Sequence, residues 1–480
     1  MTNLSDLFPA GAGKQVSFVA SGTLSNGQAV ALKTDGTVAA ISAQVGAESV
    51  FDSNTTYLTA TVYDSNSNKI VVTYGDGGNS FYGTAVVGTV SGTSISFGTA
   101  VVFQSLSTDE ISAVYDSTNG KVVVSYREAA SSLSGRAIVG TVSGTSISFG
   151  TETVFESGDT TYTSAVYDST NGKVVIAYSD GGNGQYGTAI VGTVSGTSIS
   201  FGTAAVFESA DSNYISAAYD STNNKVVISY QDDANSTFGT AVVGTVSGTS
   251  ISFGTPVVFN AAGTYFVSSS FDDNANKVVI SYRDSGNANY GTSIVGTVSG
   301  TSISFGTSVV FENALTNYIS STFDSNLNKV VIAYSDSGNS NHGTSVVGTV
   351  SGTSISFGNA VTFNAANTAY ISATYDSTNN KVVIAYRDSG DGNKGTSVVF
   401  DVAGNPSSNF IGITDAAISS AASGNVTIKG GIAVNGLSSL TPGSDYYVQA
   451  DGTISTTSTS PAVKIGRAMS ATSINLEYQS

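Results

Sequence analysis

The octapeptide Ser-Gly-Thr-Ser-Ile-Ser-Phe-Gly at residues 91–98 returns unchanged along this 480-residue chain. A fixed period of about 50 residues indicates a repeat architecture in which each repeat is one supersecondary unit. The period determines which residues of different repeats are structurally equivalent. The six copies are 52 residues apart and begin at Ser91, Ser143, Ser195, Ser247, Ser299 and Ser351.

A second motif gives the number of repeats as seven. The motif is (Tyr/Phe)-Asp, then four variable residues, then Lys, three β-branched residues, any residue and Tyr. Its seven copies start at Tyr63, Tyr115, Tyr167, Tyr219, Phe271, Phe323 and Tyr375. Each repeat holds four runs of strand character. In the last repeat these are Tyr370–Asp376, Lys381–Arg387, Gly395–Val402 and an equivalent of Thr353–Phe363. This pattern predicts an all-β fold with a seven-bladed β-propeller, whereas a solenoid would need capping repeats that are not visible.

The phase of the repeat predicts how the ring closes. The Val-Ser-Gly-Thr turn is short enough for a tight hairpin, so the octapeptide strand belongs to the same blade as the strand before it. The seventh repeat lacks this strand, and Val45–Ser53 matches the segment Phe97–Ser105 one period later. We therefore predict that Val45–Phe51 completes the seventh blade, which removes two exposed sheet edges.

The flanking residues 1–44 and 402–480 do not repeat, but each contains the same hairpin pattern. Asn26–Val38 and Gly443–Ile454 both read as a strand, an Asp-Gly turn and a second strand. We interpret the two flanks as one small β-sandwich or barrel-like domain, split by a propeller that spans residues 45–401. The ends of a closed ring lie close together, so such an insertion is geometrically simple.

Composition and charge narrow the possible functions. A net charge of −17 with only 17 Lys and Arg argues against nucleic acid or an anionic membrane as a partner. The absence of cysteine excludes disulfides, thiolate zinc sites and a cysteine nucleophile. No segment approaches the length of a membrane span, and the first residues lack the basic and apolar regions of a secretion signal.

Catalytic chemistry is not expected from these residues. The single histidine, His342, lies at a loop position where the other repeats have Tyr, Ser, Phe or Lys, so neither a Ser-His-Asp triad nor a histidine metal site can be built. We predict no catalytic residue, no cofactor and no metal site, although calcium binding by a loop stays open. The enzymatic alternative is a glycosidase with a carboxylate pair; Ser179–Gly182 and Ser335–Gly338 resemble only four residues of the structural Asp box of sialidases.

One face of the ring is the better candidate for binding. The Asp-Ser-Thr-Asn-Gly-Lys turns and the Ser-Gly-Thr hairpins form a face that hardly changes between repeats, here called the uniform face. The loops between second and third strands differ in every repeat and lie on the opposite, varied face. Binding residues commonly sit on loops held by a rigid scaffold, so the varied face is the better candidate. Unconstrained drift of solvent-exposed loops is an equally good explanation of the variation.

Three repeat positions on the varied face have two interpretations each. A carboxylate column could bind Ca²⁺ or sugar hydroxyls, but turn capping is favoured. It contains Asp76, Glu128, Asp180, Asp232, Asp284, Asp336 and Asp388. The arginines of the preceding column could clamp an anion such as a sialic acid, but surface charges are the favoured interpretation; they are Arg127, Arg283 and Arg387. A mouth column could stack on sugar rings, but packing between blades is favoured. It contains Leu58, Glu110, Tyr162, Tyr214, Phe266, Tyr318 and Tyr370.

The flanks, with Leu440–Thr457 and Val463–Leu476, resemble β modules of tailed-bacteriophage virion proteins, and the repeats are similar to those of structural proteins of marine and cyanobacterial phages. The resemblance covers most of the chain and carries no catalytic residue. It implies an exposed, non-enzymatic virion protein made in the host cytoplasm without a signal peptide and released by lysis. We expect a tail-fibre protein that attaches to a host-surface glycan or protein, with capsid decoration as the alternative. Implied partners are other virion proteins and further copies of the chain.

Overall fold

The computed structural model describes residues 14–21, 24–33, 36–41, 43–402, 410–449, 452–456, 458 and 463–477. The chain forms two compact units, Val45–Phe400, and Met1–Gln44 together with Asp401–Ser480. Within the described residues the chain is almost entirely strand, turn and loop, and no helix there has the length and apolarity needed to cross a membrane.

Each repeat of the larger unit consists of one long strand, two strands of intermediate length and, except in the last repeat, one short strand. The long strands are Ser49–Asp64, Val101–Asp116, Thr153–Asp168, Ala205–Asp220, Val257–Asp272, Val309–Asp324 and Val361–Asp376. The second strands are Lys69–Asp76, Lys121–Glu128, Lys173–Asp180, Lys225–Asp232, Lys277–Asp284, Lys329–Asp336 and Lys381–Asp388. The third strands are Tyr82–Ser91, Ser134–Ser143, Tyr186–Ser195, Phe238–Ser247, Tyr290–Ser299, His342–Ser351 and Lys394–Asp401. The short strands are Ser94–Phe97, Ser146–Phe149, Ser198–Phe201, Ser250–Phe253, Ser302–Phe305 and Ser354–Phe357, and a two-residue strand, Gln44–Val45, precedes the first repeat.

In the region 45–400, a single 3₁₀ turn follows the second strand of every repeat except repeat two, where the strand is Lys121–Glu128. These turns are Gly77–Asn79, Gly181–Asn183, Asp233–Asn235, Ser285–Asn287, Ser337–Asn339 and Ser389–Asp391. They are the only regular non-β elements in that region, every residue of which is described.

Each long strand belongs to two blades. The first part of Val101–Asp116 pairs with the third strand of the preceding repeat, through Val101 and Ala85, and its second part pairs with the second strand of its own repeat, through Asp116 and Lys121. It is therefore the outermost strand of one blade and the innermost strand of the next. The single outer strand predicted from sequence is in fact two pieces, the short strand and the start of the long one.

Neighbouring blades are in close contact at the break between these two pieces. A Cβ on Gly98, which follows the first short strand, would overlap the carbonyl oxygen of Thr145 in the hairpin of the next blade. The close approach of the two backbones therefore requires a glycine at this position. The same overlap is found at Gly46, Gly150, Gly202, Gly254 and Gly306.

The ring closes as the phase of the repeat predicts. Residues 49–55 pair with the third strand of the seventh repeat, with Ser49 opposite Ser397 and Thr55 opposite Lys394, and the strand order of this unit returns to its start. Gly46 donates its N–H to the carbonyl of Val399 at 2.8 Å. The closing contact is therefore built by the same kind of pairing that joins the other repeats.

Aromatic side chains fill the space between blades. Phe207, in an outer strand, packs against Tyr230 and Phe253 of the next blade with ring centroids 5.1 and 5.7 Å away. Phe51 makes the equivalent contacts with Tyr74 and Phe97 at 5.1 and 5.7 Å. The tyrosines at this position are among the largest fully buried side chains of the chain. They are Tyr74, Tyr126, Tyr178, Tyr230, Tyr282, Tyr334 and Tyr386.

Serine hydroxyls join the innermost strands of neighbouring blades. Ser216 Oγ accepts the backbone N–H of Ser269 at 2.9 Å, and Ser372 Oγ accepts that of Thr61 at 2.9 Å across the closing junction. Ala60 holds this place in the first blade and has no hydroxyl. Four other junctions have the same bond, donated by the backbone N–H groups of Ala165, Ala217, Ser321 and Ala373 to the Oγ atoms of Ser112, Ser164, Ser268 and Ser320, in that order.

The smaller unit contains two five-stranded sheets, and one of them mixes the two flanks. Its order is Gln15–Val19, Ser423–Ile428, Phe410–Thr414, Ala29–Leu32 and Val38–Ala40. The order of the other is Ile432–Ala433, Ser473–Leu476, Val463–Ser470, Asp445–Val448 and Ile454–Ser455. Both hairpins expected from sequence are paired, while Asp35 and Asp451 of their turns lie outside the described residues.

Candidate functional site

Six of the seven residues of the carboxylate column cap loops of the varied face, and Asp180 makes no such side-chain bond. Asp284 and Asp388 accept the backbone N–H groups of Gly286 and Gly390, each at 2.9 Å. Asp76 and Asp336 make the same bond two residues along the chain. An Asp that accepts from its own turn has the structural role favoured from sequence, and it keeps these loops in place around the ring.

The second repeat departs from this pattern because it carries a glutamate. Glu128 is fully buried and accepts the backbone N–H groups of Ala130 and Ser131, both at 2.8 Å. Burial alone would raise its pKa, but hydrogen bonds from Ser132 and Ser131 outweigh it and lower the pKa to about 2. Its loop is thus organised around one ionised carboxylate instead of a 3₁₀ turn.

All seven residues of the mouth column have a left-handed backbone. Their φ angles lie between 45° and 52°, a region that bulky side chains adopt rarely and at a cost of about 1–3 kcal/mol each. The strand is bulged here: Thr161 and Ser164 pair with Ser179 and Ala177, so two residues face one. Such an arrangement re-aims a side chain away from the regular alternation of the strand. Strain repeated at one site in every blade points to a function at that site.

The bulges bring the aromatic side chains into one continuous arc. Neighbouring rings are 5.1–5.3 Å apart between centroids and tilted by 45° to 66°, which are favourable aromatic contacts. Tyr57, one residue before the mouth column, extends the arc with its ring 4.8 Å from that of Tyr370. The rings are half-buried, so each has one side against a neighbour and still contributes open surface. The aromatic arc consists of Tyr162, Tyr214, Phe266, Tyr318, Tyr370 and Tyr57.

The three arginines occupy one column but have different surroundings, set by the residue opposite each on the inner strand. Arg127 faces Asp109 and binds it through two nitrogens at 2.7 Å; it also pairs with Asp159 at 3.0 Å. Arg283 faces Tyr265. Arg127 is therefore neutralised by carboxylates, which makes it a structural ion pair and removes it from the candidate anion site.

Arg283 and Arg387 lie instead against the aromatic arc. The Arg283 guanidinium carbon is 4.6 Å from the ring centre of Tyr265 and 4.9 Å from that of Phe266, and that of Arg387 is 4.5 Å from the ring centre of Tyr370. These are cation–π distances. Among residues 43–402, neither forms an ion pair with a carboxylate.

The other side of the arc is acidic. Glu110 replaces an aromatic residue in the mouth column, and its Oε2 accepts the backbone N–H of Tyr162 at 2.7 Å. Burial, followed by the charge of Asp109, raises the pKa of Glu110 to about 7. Burial also raises the pKa of Tyr162 to about 12, with smaller contributions from Tyr214, Glu110 and the carboxylates of Asp211 and Asp233. The mouth is thus acidic toward the second to fourth blades and basic toward the fifth and seventh.

The aromatic column and two of the three arginines lie in contact with each other, and sequence reasoning did not single out several residues beside them. Tyr57, Tyr265 and Asp109 belong to the position just before the mouth column, where the residue type varies between repeats and gives no periodic signal. The register of inner and second strands was the missing signal, because it places this position directly opposite the arginine column.

Comparisons with known proteins identify the fold. The lectin BP39L from Burkholderia pseudomallei is similar in structure, with a TM-score of 0.56 at 10% identity over 74% of this chain and 98% of the lectin. AofleA from Arthrobotrys oligospora gives 0.42 at 11% identity over 71% and 96%, and Sqt1 from Chaetomium thermophilum gives 0.44 at 10% over 73% and 85%. No protein-family model and no curated protein sequence matches the chain. The likeness to BP39L shows that this all-β chain has the β-propeller fold of that lectin.

Proposed function

We propose that this protein is a non-enzymatic glycan-binding propeller of seven blades, which binds saccharides at the aromatic arc on its varied face. The observation that carries the proposal is the left-handed bulge at every mouth-column position, because it directs five aromatic rings into one arc at an energetic cost. A pyranose ring has an apolar face of C–H groups, and burying it on a half-exposed tyrosine removes apolar area from water on both partners.

The residues around the arc fit a binding role better than a catalytic one. Among the carboxylates of the varied face, Asp284 and Asp388 are occupied with their own turns, and Asp109 is held by Arg127. Polar groups that orient a sugar are nevertheless close by, since Glu110, Arg283 and Arg387 border the arc. A few polar groups beside an apolar surface are the usual composition of a small-ligand site.

The proposed setting is the outside of a phage particle, where the split β domain anchors the chain to other virion proteins and the propeller attaches to a host-surface glycan. The support for it is the similarity of Leu440–Thr457 and Val463–Leu476 to β modules of virion proteins. Locating the protein in a reconstruction of the particle tests this setting. Density at the tail is expected, and density on the capsid lattice would support decoration of the head instead.

The binding proposal is tested with Tyr318→Ala, measured on a glycan array and by calorimetry with whichever saccharide the wild type binds. Loss of a central aromatic contact should weaken binding at least tenfold. Tyr219→Ala is the matched control, because Tyr219 is a half-buried tyrosine on the uniform face that bonds Thr170 at 2.7 Å. Equal binding by wild type and Tyr318→Ala, or no binding of any saccharide by folded wild type, would refute the proposal.

A further inference from the structure

The most unusual charged groups of the molecule are the two arginines beside the aromatic arc. A guanidinium that is half-buried normally has a carboxylate partner, as Arg127 has in Asp109. Arg283 has only the side-chain oxygen of Asn317, at 2.5 Å, and Arg387 faces Ala369 across the strands. The Nε atoms of both are buried and have no hydrogen-bond partner within the described residues.

Burial also lowers the pKa of Arg283, and the tyrosines Tyr214 and Tyr265 oppose this shift. The aromatic faces beside these guanidinium groups offset only part of the cost of burying their charge. A cation kept in this condition gains most from an anion that can reach its outward-facing nitrogens.

The positions of the two arginines define one segment of the arc. Phe266, Tyr318 and Tyr370 are consecutive rings, 5.3 and 5.2 Å apart. Arg283 stacks on the first ring and Arg387 on the third, so Tyr318 lies between two cations. The acidic residues of the mouth are on other blades, with Glu110 beside Tyr162. A ligand on this segment therefore meets an aromatic surface with positive charge at both ends.

We propose that the segment Phe266–Tyr318–Tyr370 binds an acidic saccharide, a sugar that carries a carboxylate, with the sugar ring on Tyr318 and the carboxylate on Arg387 or Arg283. A planar guanidinium matches a carboxylate through two parallel hydrogen bonds. The net charge of −17 works against non-specific capture of anions, so the affinity has to come from this segment. The inference rests on the proposed glycan-binding function and specifies its ligand class.

The probes are immobilised glycosides of N-acetylneuraminic, glucuronic and galacturonic acid, each beside its methyl ester, which keeps the sugar and removes the charge. At least one free acid should bind at least tenfold more tightly than its ester. Arg283→Gln and Arg387→Gln should each lower that affinity at least fivefold and lower the preference for the acid. Lys121→Gln is the charge-matched control on the uniform face, where Lys121 bonds Thr141 at 2.9 Å, and it should bind like the wild type.

The outcomes separate this inference from the function on which it rests. Equal binding of acid and ester, or binding of neutral sugars alone, overturns the acidic-ligand inference while a loss in Tyr318→Ala still supports the glycan site. Acid binding that survives both arginine substitutions also overturns it. If folded wild type binds none of these probes and no neutral saccharide, both proposals are wrong. Far-UV circular dichroism and thermal unfolding establish that each variant is folded.

Discussion

Replacing Glu110 by glutamine is expected to stabilise the protein at pH 8 and to change its stability little at pH 4. The carboxyl group lies in the mouth, where burial and the neighbouring Asp109 raise its pKa from the ordinary 4.5 to about 7. Arg127, Asp159 and the N–H of Tyr162 are the other charged or polar groups that act on it. Ionising Glu110 is therefore harder in the folded protein than in the unfolded chain.

The magnitude follows from the linkage between protonation and folding. Because the pKa of Glu110 is higher in the folded protein than in the unfolded chain, protonation of this group favours the folded protein. This stabilising contribution is fully present below pH 4.5 and is lost as the pH rises through 7. The change from 4.5 to about 7 corresponds to about 3 kcal/mol. Glu110→Gln cannot ionise, so its free energy of unfolding should exceed that of the wild type by a margin that grows from pH 4.5 to about 7 and is then constant.

Urea unfolding followed by far-UV circular dichroism, at one-unit steps from pH 2 to pH 8, measures this margin for both proteins. Glu128→Gln serves as an internal comparison, because this substitution should lower the free energy of unfolding at neutral pH where Glu110→Gln should raise it. The pKa of Glu128 is lowered to about 2, so its stabilising contribution is present above pH 4.5 and is lost as the pH falls toward 2. A difference between wild type and Glu110→Gln that stays constant from pH 4 to pH 8 would show that the mouth does not destabilise the ionised carboxylate.

Two further predictions concern the ring itself. Phe51→Ala, at the closing junction, should lower the free energy of unfolding in urea by about 3–5 kcal/mol. Phe207→Ala, at an internal junction, should lower it equally, because both rings make the same two contacts. If Phe51→Ala alone lowered it by less than about 1 kcal/mol, closure by the first long strand would be contradicted. Gly239→Ala should lower the free energy of unfolding by about 1–3 kcal/mol, because the new Cβ would lie 2.5 Å from Cε2 of Phe259. At Gly248 a Cβ meets no atom within 4 Å, so Gly248→Ala should lower it by only about 1–2 kcal/mol, owing to the left-handed backbone. The prediction fails if Gly239→Ala is the milder change.

The β-propeller fold was predictable because the sequence repeats with so little change. The octapeptide at 91–98 fixes equivalent positions in six of the seven repeats, and the match of Val45–Ser53 to Phe97–Ser105 was enough to predict the closing pair. The split of the outer strand was not predictable from strand propensity. It coincides with the close approach of Gly98 to the backbone of Thr145, a contact that exists only between folded blades.

The candidate site was predictable only in part, for a similar reason. Residue type and period placed Tyr318 and Arg387 on the same face. They did not show that Arg127 would be neutralised while Arg387 would not, because that depends on whether Asp109 or Ala369 lies opposite on the neighbouring strand. The left-handed backbone of the mouth column also gave no sequence signal, since tyrosine and phenylalanine are not the residues normally expected there.

The closing pair has a consequence for biosynthesis. Ser49 and Ser397 are 348 residues apart, so at about 5–20 residues per second the first long strand leaves the ribosome about 20–70 s before its partner is made. During that interval its free edge can pair with the third strand of any nearby chain, because the third strands of all repeats have nearly the same sequence. Nascent chains on one polysome are therefore at risk of exchanging this strand, and slower synthesis lengthens the time in which they can do so.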